Sequence, residues 1–212
     1  MKFTSSALAI TALLATSSGT ALAQASAQTN FIGPAIGLTV TAVQTKVDYE
    51  STVPSINGQS TQANDSDAAL TASYGFAMSQ NWVGTVGFSY GLKTSDAGSV
   101  TYTAGGTQTF TTKFKDHIVL SFAPGYRVSS SVLVYGKLAY HQVKSDYTDT
   151  ATTSGSTNHT GTGMGLGVAF AIDPKLELRA EYESVAYSGE KAQLTTGKPK
   201  QNGLTFGLLY KF

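Results

Sequence analysis

Apolar and polar residues alternate with a period of two along eight stretches of the chain, residues 33–49, 68–78, 82–93, 110–128, 132–143, 160–172, 175–187 and 202–212. That period belongs to a strand with one face toward an apolar phase. Each stretch has at least the roughly 9–11 residues that a tilted strand needs to cross hydrocarbon. No stretch after residue 24 carries an amphipathic helical period. The connections alternate in length. Short turns fall at Ser79-Gln80-Asn81, Ser129-Ser130-Ser131 and Asp173-Pro174, and long polar stretches at 50–67, 94–109, 144–159 and 188–201. The order long, short, long, short, long, short, long predicts an all-β, eight-stranded antiparallel up-and-down barrel with both termini on the side of the short turns.

Polarity then separates a membrane barrel from a soluble one. One face carries Leu38, Val40, Leu70, Phe88, Leu120, Phe122, Leu138, Leu166, Val168, Leu178 and Leu208 and no ionisable group in its centre. A lysine or arginine facing lipid at the bilayer midplane costs about 2–4 kcal/mol, so lipid exposure selects such a face. The other face carries Thr71, Ser73, Thr85, Lys137, His141, Glu177, Arg179, Glu181 and Glu183. A soluble barrel would reverse the two. The arrangement predicts a transmembrane β-barrel with its charges inside. Two positions constrain the register. Asp116 shares parity with the lipid face and must stand above the hydrocarbon. Pro124, which lacks a ladder N–H, belongs near the short-turn end at a bulge or weakly paired site. Aromatic girdles are expected from Phe76, Trp82, Tyr126, Phe170 and Phe212 at one rim and Tyr90, Phe114, Tyr140 and Tyr182 at the other.

The first residues read as an export signal. Lys2 gives a positive start, Ala7 to Ala15 a short apolar run, and Ala21-Leu22-Ala23 a small-x-small cleavage site. Residues 1–23 are therefore expected to be a cleaved signal peptide and residues 24–212 the barrel. The apolar run is shorter than the roughly 20 residues of a spanning helix.

Composition narrows the function classes. The chain has 14 Lys+Arg and 13 Asp+Glu, and without Lys2 13 of each remain. This neutrality speaks against nucleic-acid binding, which uses a basic face. The absence of cysteine excludes disulfides and thiolate chemistry. Charged residues make up 13% of the chain, about half the share usual in soluble domains.

Two patches carry a resemblance. The chain ends Leu204-x-Phe206-x-Leu208-x-Tyr210-x-Phe212, which resembles the C-terminal signature that the outer-membrane assembly machinery recognises. Ser121-Phe122-Ala123-Pro124-Gly125-Tyr126-Arg127, a serine turn, and Leu133-Val134-Tyr135-Gly136-Lys137-Leu138 resemble the fourth and fifth strands of the opacity and OmpX/Ail-type barrels. The resemblance implies an outer-membrane barrel embedded in lipopolysaccharide and phospholipid, monomeric, with a structural, envelope-integrity or adhesin-like role through four external loops. A narrow porin-like channel is the alternative, and a lipid A-modifying enzyme a third reading. Unlike in OmpA, no peptidoglycan-binding domain is expected after the last strand.

Candidate chemistry lies mainly inside. The sixth stretch turns Gly161, Gly163, Gly165, Gly167, Ala169 and Ala171 inward, which leaves space for Lys137 to cross toward Glu181. Arg179, Glu183, Glu177 and Arg127 are expected to complete an interior ion network. Its expected role is a plug, because eight strands enclose only enough room for side chains to fill. His117, His141 and His159 stand near the external ends of their strands, but the residues two positions on are Val119, Val143 and Gly161, without the serine that a deacylase pairs with its histidine. No catalytic, cofactor or metal set is expected. Residues 100–103, facing 107–111 across glycines, are expected to extend a hairpin whose edge is open to partner strands.

Overall fold

The computed structural model describes residues 30–52, 57–103, 106–150, 154–192 and 195–212. The signal peptide expected at 1–23 and the mature start at residue 24 lie outside the described residues.

Among the described residues ten strands run in chain order: β1 (Gly33–Ser51), β2 (Ser60–Ala77), β3 (Trp82–Gly91), β4 (Ser95–Thr103), β5 (Thr107–Arg127), β6 (Val132–Asp149), β7 (Gly155–Asp173), β8 (Leu176–Tyr187), β9 (Glu190–Ala192) and β10 (Thr195–Lys211). Eight of them form the ring β1-β2-β3-β5-β6-β7-β8-β10, and β1 pairs with β10 to close it. Closure runs from Ala35 opposite Lys211 to Ser51 opposite Thr195. All pairings are antiparallel. A ring has no free edge, so in lipid every backbone donor in the wall finds a partner. β4 and β9 are additions at the end of the long connections, paired with β5 and β10 respectively. We call the two ends of the barrel the loop end and the turn end.

The outward face is the apolar one. Leu38, Leu138, Met164, Leu166, Phe206 and Tyr182 are each more than half exposed. Trp82 and Tyr126 meet edge to face at 5.6 Å on the turn-end rim. At the turns the strands are joined tightly, with Met78 N–H donating to Trp82 O and Val128 N–H to Val132 O. Pro124 pairs with Gly84 on the β3 side, whereas the β5–β6 register passes over Ala123 and Pro124. The missing proline N–H is thereby placed where the ladder is already interrupted.

Two expectations are corrected. The long stretches 50–67, 94–109, 144–159 and 188–201 are mostly strand, not loop, because the wall continues past the apolar belt. The outward face there meets water, so Ser, Thr and Asn replace Leu and Phe and the alternation fades from the sequence. Secondly, Phe114 is not a girdle residue. It is 2% exposed and points inward. Between Lys115 and Ile118 the register against β6 slips, and Asp116 takes φ 52°. This bulge puts one extra residue in β5 and exchanges its faces. Below it the odd positions face inward, Ala123 among them. Above it the even ones do, Thr112 and Phe114 among them. The bulge lies where β5 changes partners from β3, which ends at Gly91, to β4. Asp116 itself stays outside, within 3.5 Å of the Tyr90 hydroxyl.

Candidate functional site

The barrel interior is stacked in three layers. At the turn end Phe31, Val83, Leu133, Tyr135, Ala169 and Ala171 form an apolar floor. Phe31, at φ 70°, turns the chain so that its ring lies under the barrel. At the loop end Val47, Tyr49, Val100, Phe114, Val143 and Tyr187 form an apolar roof. β4 supplies part of this roof through Ala97, Val100 and Tyr102, which alternate with exposed residues. The polar middle lies between, around a cavity of about 120 Å³ lined by Thr39, Thr41, Thr71, Ser89 and the central ions.

The ions come from β6 and β8 across the glycine strip of β7. Lys137 Nζ lies 2.8 Å from Glu181 Oε2 and 3.1 Å from Glu183 Oε2. Tyr135 donates its hydroxyl to Glu181 Oε1 at 2.7 Å. The strip has no room for side chains. A Cβ at Gly163 would sit 2.7 Å from His141 Nε2, and one at Gly167 would collide with the Tyr135 ring. These glycines are required by the groups that cross above them.

The predicted network divides. Arg179 turns toward the floor, where it donates to Glu177 Oε1 at 2.5 Å and to Ser73 Oγ at 3.3 Å. Arg127 is apart from both groups, at the turn end, with its guanidinium directed to the carbonyl oxygens of Gln80 and Asn30 at 3.3 and 3.5 Å. Its position at the last residue of β5, opposite Leu133, leaves it four residue pairs below Lys137 and out of the central group.

The sequence pattern puts His141 on the inward face, but the ion network expected from it includes none of the three histidines. His117 Nε2 and His141 Nδ1 are 3.0 Å apart, His141 Nε2 is 3.0 Å from Glu183 Oε1, and His117 Nδ1 is 3.5 Å from Asp67 Oδ2. Tyr187 Oη donates to Gln201 Oε1 at 2.7 Å, and Gln201 Nε2 to Thr45 Oγ1 at 3.0 Å. With Tyr187 Oη also 3.4 Å from His117 Nε2, one chain of polar contacts joins six strands, β1, β2, β5, β6, β8 and β10. Parity alone signals it: below the bulge His117 shares the inward phase of Ser121, and His141 that of Lys137. Ser145 Oγ and His159 Nε2 also meet, at 3.0 Å, with His159 Nδ1 against Ser188 O at 3.1 Å. Fourteen residues separate the pair in sequence, but β6 and β7 bring them to adjacent strands.

Outside, the expected hairpin forms between β4 and β5, from Ser95 opposite Phe114 to Thr103 opposite Thr107. Its other edge is not open. Asp96 N–H donates to Asp65 Oδ2 at 2.9 Å, and Lys93 Nζ reaches Asp65 Oδ1 at 2.7 Å and Ser66 O at 2.8 Å. Thr61 stands against Gly98. Asp65 lies above the apolar belt, which on β2 begins near Leu70. The Lys93 ammonium, with the Asp96 and Ser66 N–H groups, holds its carboxyl down at about 2. The C-terminal residues Leu204, Phe206, Leu208, Tyr210 and Phe212 all face outward and are exposed by between 44% and 77%, as a strip on one strand.

Among solved structures, the chain is similar to the outer membrane protease OmpT from Escherichia coli, at 10% identity over 86% of this chain and 98% of that one, with a TM-score of 0.51. It is also similar to Ail, the attachment invasion locus protein of Yersinia pestis, at 15% identity over 85% and 100%, TM-score 0.49. Neisserial surface protein A follows at 15% identity over 82% and 97%, TM-score 0.45. At these identities the likeness is one of fold. No curated protein matches the chain. Residues 10–212 match the family described as outer membrane protein beta-barrel domain. A closed ring with a greasy exterior and an ionic middle is the architecture such a match requires, and the chain belongs to the outer-membrane β-barrel family.

Proposed function

We propose that this protein is a sealed, monomeric barrel that anchors a surface in the outer membrane, with no catalytic or conducting task. The observation that carries the reading is the interior stacking: an apolar floor and an apolar roof enclose the ion pairs. An ion crossing this interior would have to leave its hydration at both layers. The strand extensions above the belt and the β4–β5 hairpin supply the exposed area, and we place them outside the cell with both termini in the periplasm. In this reading lipopolysaccharide and phospholipid surround the belt, the C-terminal strip engages the assembly machinery, and contacts with other surfaces are made by the loop end.

The same reading assigns a structural role to Ser145 and His159. The space beside them is about 30 Å³, room for about two water molecules but not for an acyl or phosphoryl group. The alternative, a narrow passive channel, draws on the central cavity. Conductance of the purified protein in planar bilayers separates the two. Silence is expected, and reproducible discrete steps at single-molecule dilution would overturn the sealed-anchor reading.

A further inference from the structure

We propose that His117 and His141 form a two-imidazole site that binds one shared proton and couples acidity to the packing of the loop-end roof. The neighbours of the two rings fix how many protons they carry. Asp67 Oδ1 accepts the Ala68 N–H at 2.8 Å, and its other oxygen faces His117 Nδ1. Glu183 Oε2 faces the Lys137 ammonium, and its other oxygen faces His141 Nε2. Both carboxylates are therefore acceptors, and the outer nitrogen of each ring must carry a proton. The central contact, His117 Nε2 to His141 Nδ1 at 3.0 Å, needs one proton more. Three protons on two rings make one imidazolium.

A neighbour fixes where that charge sits. Tyr187 gives its hydroxyl proton to Gln201, so toward His117 Nε2, 3.4 Å away, its oxygen is an acceptor. The central proton thus belongs to His117 Nε2. His117 is the cation beside Asp67, and His141 is neutral with its proton on Nε2.

Electrostatics favours the same count. The groups facing the pair are Asp67 from β2, Lys137 from β6, and Glu183 and Tyr187 from β8, with Glu181 on the far side of Lys137. β3 and β7 present Gly91 and Gly163, β4 presents Ser95 and β10 Gln201. Without the shared proton, three carboxylates face one ammonium. A second proton has no place. It would set N–H against N–H across 3.0 Å, and the rings would part into the cavity, taking Tyr187 from its place in the roof.

The test is a nitrogen-15 NMR titration of histidine-labelled protein in phospholipid nanodiscs, from about pH 9 to about pH 4, spanning the histidine range. At neutral pH both nitrogens of His117 are expected to be protonated and only Nε2 of His141. The pair is expected to titrate in two steps separated by more than about one unit, the lower step shifting the Tyr187 ring signals. In His141→Gln the remaining His117 titrates in a single step without that Tyr187 shift. Independent, parallel titration of both histidines near about 6.5 would overturn the proposal. So would a proton on His141 Nδ1 at neutral pH, or Tyr187 signals that do not respond. Heat-dependent gel mobility reports whether the variant folds, and if it does not, the titration of the unaltered protein decides alone.

Discussion

Lys137 on β6 and Glu181 on β8 are bonded at 2.8 Å across a strand that offers them nothing but glycine. The contact ties together strands that share no ladder. Glu183 lies on the same ammonium at 3.1 Å, so one cation balances two carboxylates inside a wall that lipid surrounds.

Lys137→Met is accordingly expected to destabilise the barrel by about 3–5 kcal/mol, the usual cost of leaving a buried charge without its partner. Here two charges are left. The shift shows as a lower denaturant midpoint in lipid vesicles. An unchanged midpoint would mean that the carboxylates find other partners and that the network is not structural.

The roof offers a second test. Phe114 is 2% exposed and packs against Tyr187 at 5.9 Å and His159 at 6.2 Å between ring centres. Phe114→Ala is expected to cost about 3–5 kcal/mol, as for other buried aromatic residues. Tyr140, 47% exposed on the outward face, has few such contacts to lose, and Tyr140→Ala should cost markedly less. Equal costs in the same unfolding assay would refute the reversal of faces in β5.

The seam between β2 and the β4 hairpin predicts a response to acid. Asp65 has its carboxyl lowered from 3.8 to about 2 by Lys93 and by the N–H groups of Asp96 and Ser66. A lowered folded value means that the contribution is complete above about pH 4 and is lost as pH falls toward 2. Hydrogen exchange at the Asp96 amide should stay slow down to about pH 3, relative to its intrinsic rate, and lose protection below that. In Asp65→Asn the protection should be weaker and independent of pH across this window. Protection in the unaltered protein that does not change between about pH 4 and pH 2 would show that the carboxylate does not hold the seam.

The parts of the fold that were legible in the sequence are those where a physical demand acts on every second residue. Between Leu70 and Phe76, or Leu176 and Tyr182, lipid on one side and confinement on the other leave a clear alternation, and the ring order and turns follow from it. Lys137 and Glu181 were legible for the same reason, since glycines at every second position of β7 announce that something crosses. Above the belt water bathes the outer face and the alternation weakens. There the pattern marks only residues 100–103 of β4 as an extended hairpin arm and cuts β2, β6 and β7 short at their outer ends. Phe114 was assigned to the wrong face because a parity count cannot see an inserted residue. Asp116 gives no warning in its chemistry, and only its backbone, at φ 52°, marks the place. Arg127 was grouped with the ions by charge, although its height on β5 keeps it at the rim. The inward parity of His117 and His141 was legible in the same way as that of Lys137, and only their meeting inside the barrel needed the third dimension.

The slip at Asp116 also limits how this strand can vary. Losing the one extra residue there would restore an unbroken alternation from His117 through Lys115 to Phe114, with Lys113 and Lys115 still outside and Phe114 still in the roof. Losing a second would put the upper half of β5 out of phase with the lower, swinging Lys113 into the barrel and throwing Phe114 out toward water. A shortening of this segment should therefore be tolerated when it removes the extra residue alone and rejected when it takes two, so that a pair of codons is a larger insult than a single one.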